Sequence, residues 1–302
     1  MIHSGLMKAI VTGGAGFIGS NLVDFLIDKE FEVIVIDNES SSSGEFHWNS
    51  NARNFKLDIR NYQETKELYK NANIVYHLAA ETRIQSAIAN PIETLNNNTL
   101  GTCVVLQCAR EMNVGRFVFS STSAIYGNNV VPNHESQVAD CLNPYSISKL
   151  HGELLCQLYS KEYALNTIVL RYFNVYGNRQ PTKGSHTPVL GLFLTQKNLN
   201  NPLTIVGDGN RRRDYVNVFD VVQANFLAGT KEVSKQHFGE VFNVGFGENY
   251  SVNEVARFIS PNTQYIEDRA GEANSTLASI KKIKEVFGWT PKIALDEWLS
   301  SL

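Results

Sequence analysis

Apolar residues fall into two alternating rhythms along the first two thirds of this chain. Short runs rich in apolar residues, at 8–12, 31–37, 54–57 and 74–78, read as strands. Between the first two lies a stretch with helical spacing at 17–29, carried by Phe17, Ile18, Leu22, Phe25 and Leu26, and a polar helix is predicted at 62–69. The alternation continues with a helix at 92–112, a strand at 116–120, a helix at 145–163 and a strand at 167–171. Strands with no polar face that alternate with helices predict a parallel sheet covered on both sides. After Asn174 the rhythm turns irregular, and Gly177, Pro181, Gly184 and Pro188 mark loops. A short strand at 203–206, a helix after Phe219, a strand at 241–244 and two late helices complete the reading. No internal repeat is evident, and the serine run from Ser40 to Ser43 reads as a polar loop.

Composition narrows the class. With 302 residues, 43% hydrophobic and 19% charged, the chain has the make-up of an ordinary globular enzyme of one or two domains. A formal net charge of -3 provides no broad basic field for nucleic acid or a membrane surface, so an anionic ligand must be held by locally placed arginines or backbone amides. Cys103, Cys108, Cys141 and Cys156 form neither a CxxC pair nor a His/Cys cluster at metal spacing, which predicts free thiols and no metal. No apolar run approaches the length of a membrane span. Met1 to Leu6 lacks the basic and apolar regions of a signal peptide, and Met7 reads as an alternative initiator. The expected compartment is the cytoplasm.

The first predicted strand runs into TGGAGFIGS at 12–20, with Gly13, Gly16 and Gly19 at GxxGxxG spacing. Only glycine lets a backbone turn so tightly and approach a pyrophosphate, while the helix that follows offers free N–H groups at its positive end. Asp37 ends the next strand, where a carboxylate accepts from both ribose hydroxyls of NAD and repels the extra phosphate of NADP. No arginine follows it; Asn38 and Glu39 do, which favours NAD.

Tyr145 and Lys149 lie four residues apart at the start of a predicted helix, hence on one face. A neighbouring ammonium stabilises phenolate, so Lys149 is expected to lower the Tyr145 pKa and make it a usable base. Ser120, Ser121 and Thr122 end a preceding strand and offer a hydroxyl to a substrate oxygen. With these residues in place the chain resembles the extended short-chain dehydrogenase/reductase family, in its NAD-dependent nucleotide-sugar epimerase/dehydratase branch. The resemblance runs from Lys8 to the C-terminus and is carried by TGGAGFIGS, HLAA at 77–80, FSSTSAIYG at 119–127, PYSISK at 144–149, LRYFNVYG at 170–177 and GDGNRRRDYVNV at 207–218.

The resemblance implies roles that spacing alone does not. Tyr145, Lys149 and Thr122 would be catalytic. Phe17, Ile18 and Asn38 would join the glycines and Asp37 around the cofactor, Asp58 and Ile59 would edge the adenine, and Leu78, Ala79 and Ala80 would line the phosphate path. Asn98, Ser120 and Tyr172 would sit nearer the nicotinamide. Thr122, Asn174, Val189 and Thr276 would contact the sugar nucleotide, with Arg213 and Arg269 on its diphosphate. Arg211 and Arg212 read as solvated. His77, at a strand end among apolar residues, reads as structural rather than catalytic.

Within this branch, dehydratases usually carry an Asp-Glu pair after the Thr122 position and decarboxylases a glutamate; here Ser123 and Ala124 stand there, which leaves epimerisation at C4. The small Thr276 would admit UDP-GlcNAc/UDP-GalNAc as well as UDP-Glc/UDP-Gal, although Ala270 and Ser279 depart from the family's usual proline and aspartate. UDP-glucuronate as substrate, or a catalytically silent NAD-binding regulator, are the alternatives. The implied architecture is α/β: a Rossmann-type doubly wound parallel sheet at 7–173, rejoined by 215–245, with a smaller, sequence-interleaved sugar-nucleotide domain from 174–214 and 246–302. A homodimer through the helices near 94–112 and 146–163 is also implied.

Overall fold

The computed structural model describes residues 6–41, 44–182 and 187–302. Met1 to Gly5, Ser42, Ser43, Gly184 and His186 lie outside the described residues, and with them most of the N-terminal segment and part of the serine run.

The chain runs β1 (Lys8–Thr12), α1 (Phe17–Asp28), β2 (Glu32–Asp37), β3 (Arg53–Lys56), α2 (Tyr62–Thr65), β4 (Ile74–His77), α3 (Ile84–Ala89), α4 (Pro91–Leu95), α5 (Gly101–Glu111) and β5 (Arg116–Thr122). It continues α6 (Pro144–Tyr163), β6 (Thr167–Tyr172), β7 (Asn174–Tyr176), α7 (Val189–Asn198), β8 (Leu203–Val206), β9 (Arg212–Asn217) and α8 (Val218–Thr230). It ends β10 (Val241–Val244), β11 (Asn249–Ser251), α9 (Val252–Ile259), β12 (Thr263–Ile266), α10 (Lys281–Phe287) and α11 (Leu295–Ser300).

Seven strands form one parallel sheet in the order β3-β2-β1-β4-β5-β6-β10. Its apolar strands feed two cores because alternate side chains leave opposite faces. Ala9, Val11, Val33, Val35, Ile74 and Tyr76 face one side, against Leu22, Val23 and Leu26 of α1 and Val221, Val222 and Ala228 of α8. Ile10, Ile34, Ile36, Val75, Phe117 and Phe119 face the other, against Leu106 and Ala109 of α5 and Cys156 and Tyr159 of α6. Strand order reverses between β1 and β4, and at such a switch point the C-terminal strand ends leave an open crevice.

Two smaller sheets, β11-β9-β7 and β12-β8, stand beside this body around a third core containing Tyr176, Phe193, Leu203, Ile205 and Val255. The stretch 246–302 does not lie wholly on that side: Ile283 and Phe287 of α10, with Trp289, pack into the core beneath the large sheet. The helix expected at 92–112 is three pieces, α4 and α5 joined by a π-helical turn at Asn96–Leu100. Three late helices, α9, α10 and α11, replace the two expected.

Candidate active site

The glycine loop is held by close contacts. Gly13 has φ +70°, and a Cβ there would stand 2.7 Å from the Ala79 backbone nitrogen. A Cβ on Gly19 would stand 2.1 Å from the Gly13 carbonyl oxygen, so α1 packs against the loop only without a side chain. Asp37 fastens the same loop: its carboxylate accepts from the Ala15 amide at 3.1 Å and from the Glu39 amide at 2.8 Å. Burial raises its pKa, with those two amides opposing. Beyond it, Asp58 is held by Arg60 (Nη2–Oδ2 2.6 Å), which keeps its pKa low, and accepts from the Asn38 amide at 3.4 Å.

These residues open onto one cavity of about 820 Å³. Its first wall is Gly13, Gly16, Phe17, Ile18, Asp37, Asn38, Asp58 and Ile59, and Leu78, Ala79 and Ala80 continue it along the ends of β1 and β4. Ser120, Thr122, Tyr145, Lys149 and Tyr172 form its middle, and Asn174, Val189, Arg213, Arg269 and Thr276 its far end. A glycine cradle that a Cβ would fill, a helix N-terminus without acid in its first turn, and a carboxylate one strand away fit a dinucleotide with free ribose hydroxyls.

Asn98 is the exception among the expected site residues. It lies in the π turn, buried behind the wall, where its side chain accepts from the Glu81 amide and donates to the Glu81 carbonyl and the Ser148 hydroxyl, each at 2.8 Å. It shapes the segment carrying Glu81, while its neighbour Asn97 lines the cavity.

Helix α6 delivers the central pair. Asn143 caps it in a reciprocal box with Ser146, and Pro144 occupies the first turn, fixing where Tyr145 emerges. The Lys149 Nζ donates to the Ser120 carbonyl at 2.7 Å, and burial lowers its pKa to about 8. The Ser120 hydroxyl is 2.9 Å from that of Tyr172, which donates to Asn225 at 2.8 Å. Tyr145 departs from expectation: burial pushes its pKa up to about 12, with only a hydrogen bond to Thr122 opposing and Glu81 adding to the rise. The expected lowering by Lys149 is not realised, because the ammonium is spent on the Ser120 carbonyl while the phenol is desolvated.

Behind this pair, Ser121 donates to Glu153 at 2.5 Å and Arg171 grips Glu153 through Nε (2.8 Å) and Nη2 (2.7 Å), a buried ion pair locking α6 to β5 and β6. His77 is structural, as read: its ring nitrogens meet the hydroxyls of Thr12 (2.7 Å) and Thr102 (2.9 Å), and burial drops its pKa to about 3. Arg211, expected in solvent, instead lines the cavity and pairs with Asp268 at 2.8 Å. Arg212 is half-exposed on the opposite face, bonded to Asn249 and Glu254. Two further cations that the sequence reading passed over, Arg83 and Arg179, also line the cavity. Among the described residues the four cysteines are free, no cluster of three or more His, Cys, Asp or Glu is placed to hold a metal, and no helix is long and apolar enough to cross a membrane.

The model of the NAD dependent epimerase/dehydratase family matches residues 9–245. The chain belongs to that family. It is an NAD-dependent epimerase, and its similarity to solved members spans nearly the whole chain. The UDP-glucose 4-epimerase of Thermotoga maritima, solved with UDP-glucose, is 35% identical, with 97% of this chain and 96% of that one covered and a TM-score of 0.90. The UDP-glucuronic acid 4-epimerase of Bacillus cereus, solved with UDP-glucuronic acid and NAD, is 29% identical over 97% of each chain at a TM-score of 0.89. A UDP-glucose 4-epimerase of Halalkalibacterium halodurans is 33% identical over 311 residues, 95% of this chain and 91% of that relative.

Proposed function

We propose that this epimerase inverts C4 of a UDP-sugar through a transient 4-keto sugar. The observation that carries the reading is the cavity wall at 122–124: Thr122, Ser123 and Ala124 all line it and bring no carboxylate to remove a second proton from the sugar. Glu81 also lines the cavity, but its Oε1 accepts from the Arg83 amide at 2.8 Å. The glycine loop at Gly13 and Gly16 and the Asp37 carboxylate would hold NAD, whose chemistry would be reversible hydride exchange with C4.

Around that chemistry the chain's own groups do the following. Tyr145 takes the proton of the 4-hydroxyl and gives it back, assisted by the Thr122 hydroxyl. Burial raises the Tyr145 pKa, the Thr122 hydrogen bond opposes that rise, and positive charge beside the phenol favours its ionised form. Lys149 fixes the β5 terminus through Ser120 and supplies a buried cation. Arg213 and Arg269, at the far end, would hold the diphosphate while the keto sugar turns.

UDP-Glc/UDP-Gal are the expected pair. The small Thr276 on the cavity wall supports acceptance of N-acetylated sugars as well. UDP-glucuronate is a second reading, supported by Arg83, a cation on the cavity wall suited to a sugar carboxylate, and by similarity to a UDP-glucuronic acid 4-epimerase. Exposed Ile147, Leu154 and Leu158 on α6, with Ile92 and Leu100 nearby in sequence to α5, support association as a homodimer. Free thiols fit the cytoplasm.

Incubating the purified protein with UDP-Gal, UDP-GalNAc and UDP-glucuronate separately, and following the anomeric NMR signals, tests the reading. Interconversion of at least one of them with its C4 epimer is expected. Dehydrated or decarboxylated products, or no turnover of any, would overturn it.

A further inference from the structure

Thr122 and Tyr145, read above as partners in proton transfer, come from elements that no regular structure connects. After the 3-10 turn at Ser123–Tyr126 the chain runs without helix or strand until α6 begins at Pro144. Their separation must therefore be set by contacts between α6 and the end of β5.

Three buried side chains make those contacts. By strand parity Ser121 leaves β5 on the face opposite to Ser120 and Thr122. Its hydroxyl donates to the Glu153 Oε1 of α6 at 2.5 Å, and its register partner on β6 is Arg171. Arg171 donates to the same carboxylate through Nε at 2.8 Å and Nη2 at 2.7 Å. The guanidinium also lies over the ring of Tyr126, 4.7 Å from its centre, and Tyr126 ends the turn that follows Thr122. Thr122 is thus held on both flanks, by Ser121 before it and by Tyr126 after it. Glu153 follows Tyr145 and Lys149 at successive four-residue steps, so it ties the face of α6 that carries them to the strand end. Ser121, Glu153 and Arg171 are 3%, 1% and 5% exposed. An ion pair buried this deeply adds little stability over an apolar pair of similar volume, so stability alone does not account for it.

We propose that Ser121, Glu153 and Arg171 are positioning residues that set the Thr122 hydroxyl at the Tyr145 phenol, and so support turnover through those two groups rather than by binding substrate or cofactor. The proposal rests on the roles read above for Thr122 and Tyr145. Misplacing reacting groups by about 1 Å can slow a reaction by about a hundredfold.

Turnover of whichever UDP-sugar the NAD-loaded protein epimerises, measured together with KM, NAD affinity and melting temperature, tests this. Ser121→Ala removes one atom and leaves the ion pair intact. Its kcat is expected to fall by about tenfold, the scale of one lost hydrogen bond to a charged group, with KM and NAD affinity unchanged. The triple variant Ser121→Ala, Glu153→Leu, Arg171→Met replaces the polar set by apolar side chains. It should melt close to wild type yet turn over no faster than Ser121→Ala. In a Thr122→Val background, Ser121→Ala should add little further loss, because the group that it positions is gone. Wild-type kcat in Ser121→Ala, a loss confined to KM, or a loss undiminished in the Thr122→Val background overturns the proposal. If the triple variant fails to fold, the Ser121→Ala results decide. A slow Thr122→Val beside a fast Ser121→Ala removes the positioning alone; full turnover in Thr122→Val removes the catalytic reading with it.

Discussion

Tyr145 is the side chain whose chemistry depends most on its surroundings. Desolvation holds its proton, Thr122 loosens it, and Lys149 is engaged with Ser120. Tyr145→Phe removes the proton acceptor and almost no volume, so turnover should fall by about a hundredfold or more while NAD binding is retained. Steady-state rates and NAD titration of the purified variant check this; near-normal turnover would exclude Tyr145 as the base. Asp37 is a second single-residue determinant. Its carboxylate both braces the glycine loop through the Ala15 amide and faces the cavity, so Asp37→Ala should weaken NAD binding and reduce the bias against NADP. The ratio of the two dissociation constants is the readout, and an unchanged ratio would place Asp37 away from the ribose. Arg211 shows where reading residue by residue stops. Among three consecutive arginines no single one announces a partner, and only the folded cavity, lined by Arg211 and Arg213 but not Arg212, shows which of them face inward.

At the scale of elements, what the sequence makes legible follows from how strongly each segment is patterned. The strands at 8–12, 203–206 and 241–244 appear at the expected limits because apolar residues and bounding turn residues mark them. Strands β7, β9 and β11 escape because they are short and bear polar or charged side chains whose alternation is visible only once the partner strand is known. Helix α7 follows a proline-marked loop and was masked by it. The π turn is set by where Asn98 must reach, a tertiary demand that no local propensity expresses. One close element contact is also unreadable from sequence: Gly152 of α6 crosses β5 so tightly that a Cβ would stand 2.3 Å from the Phe119 ring. Valine gains only a few tenths of a kcal/mol in helix propensity over glycine, against about 1–3 kcal/mol for overpacking, so Gly152→Val should be destabilising. Urea denaturation measures it. Because α6 carries Tyr145 and Lys149, turnover should drop with stability; a variant as stable and active as wild type would contradict the tight crossing.

At the scale of the molecule, one cavity runs from the strand ends of the large sheet, the wall proposed for the cofactor, to residues beside the smaller sheets, proposed for the sugar nucleotide, with Thr276 at that far end. If it stands beside the 2-substituent of the sugar, Thr276→Tyr fills the space an acetamido group needs to turn. Relative kcat/KM for UDP-GalNAc should then fall about tenfold to two-hundredfold, with UDP-Gal much less affected. Equal losses for both would remove Thr276 as the gate. The central claim is inversion at C4 without involvement of neighbouring carbons, and isotope retention tests it most directly. UDP-galactose carrying deuterium at C4, converted in ordinary water, should give UDP-glucose that keeps the label at C4. In deuterated water, unlabelled substrate should gain no deuterium at C3, C4 or C5. Loss of the C4 label to solvent, or solvent deuterium appearing at C5, would contradict the account.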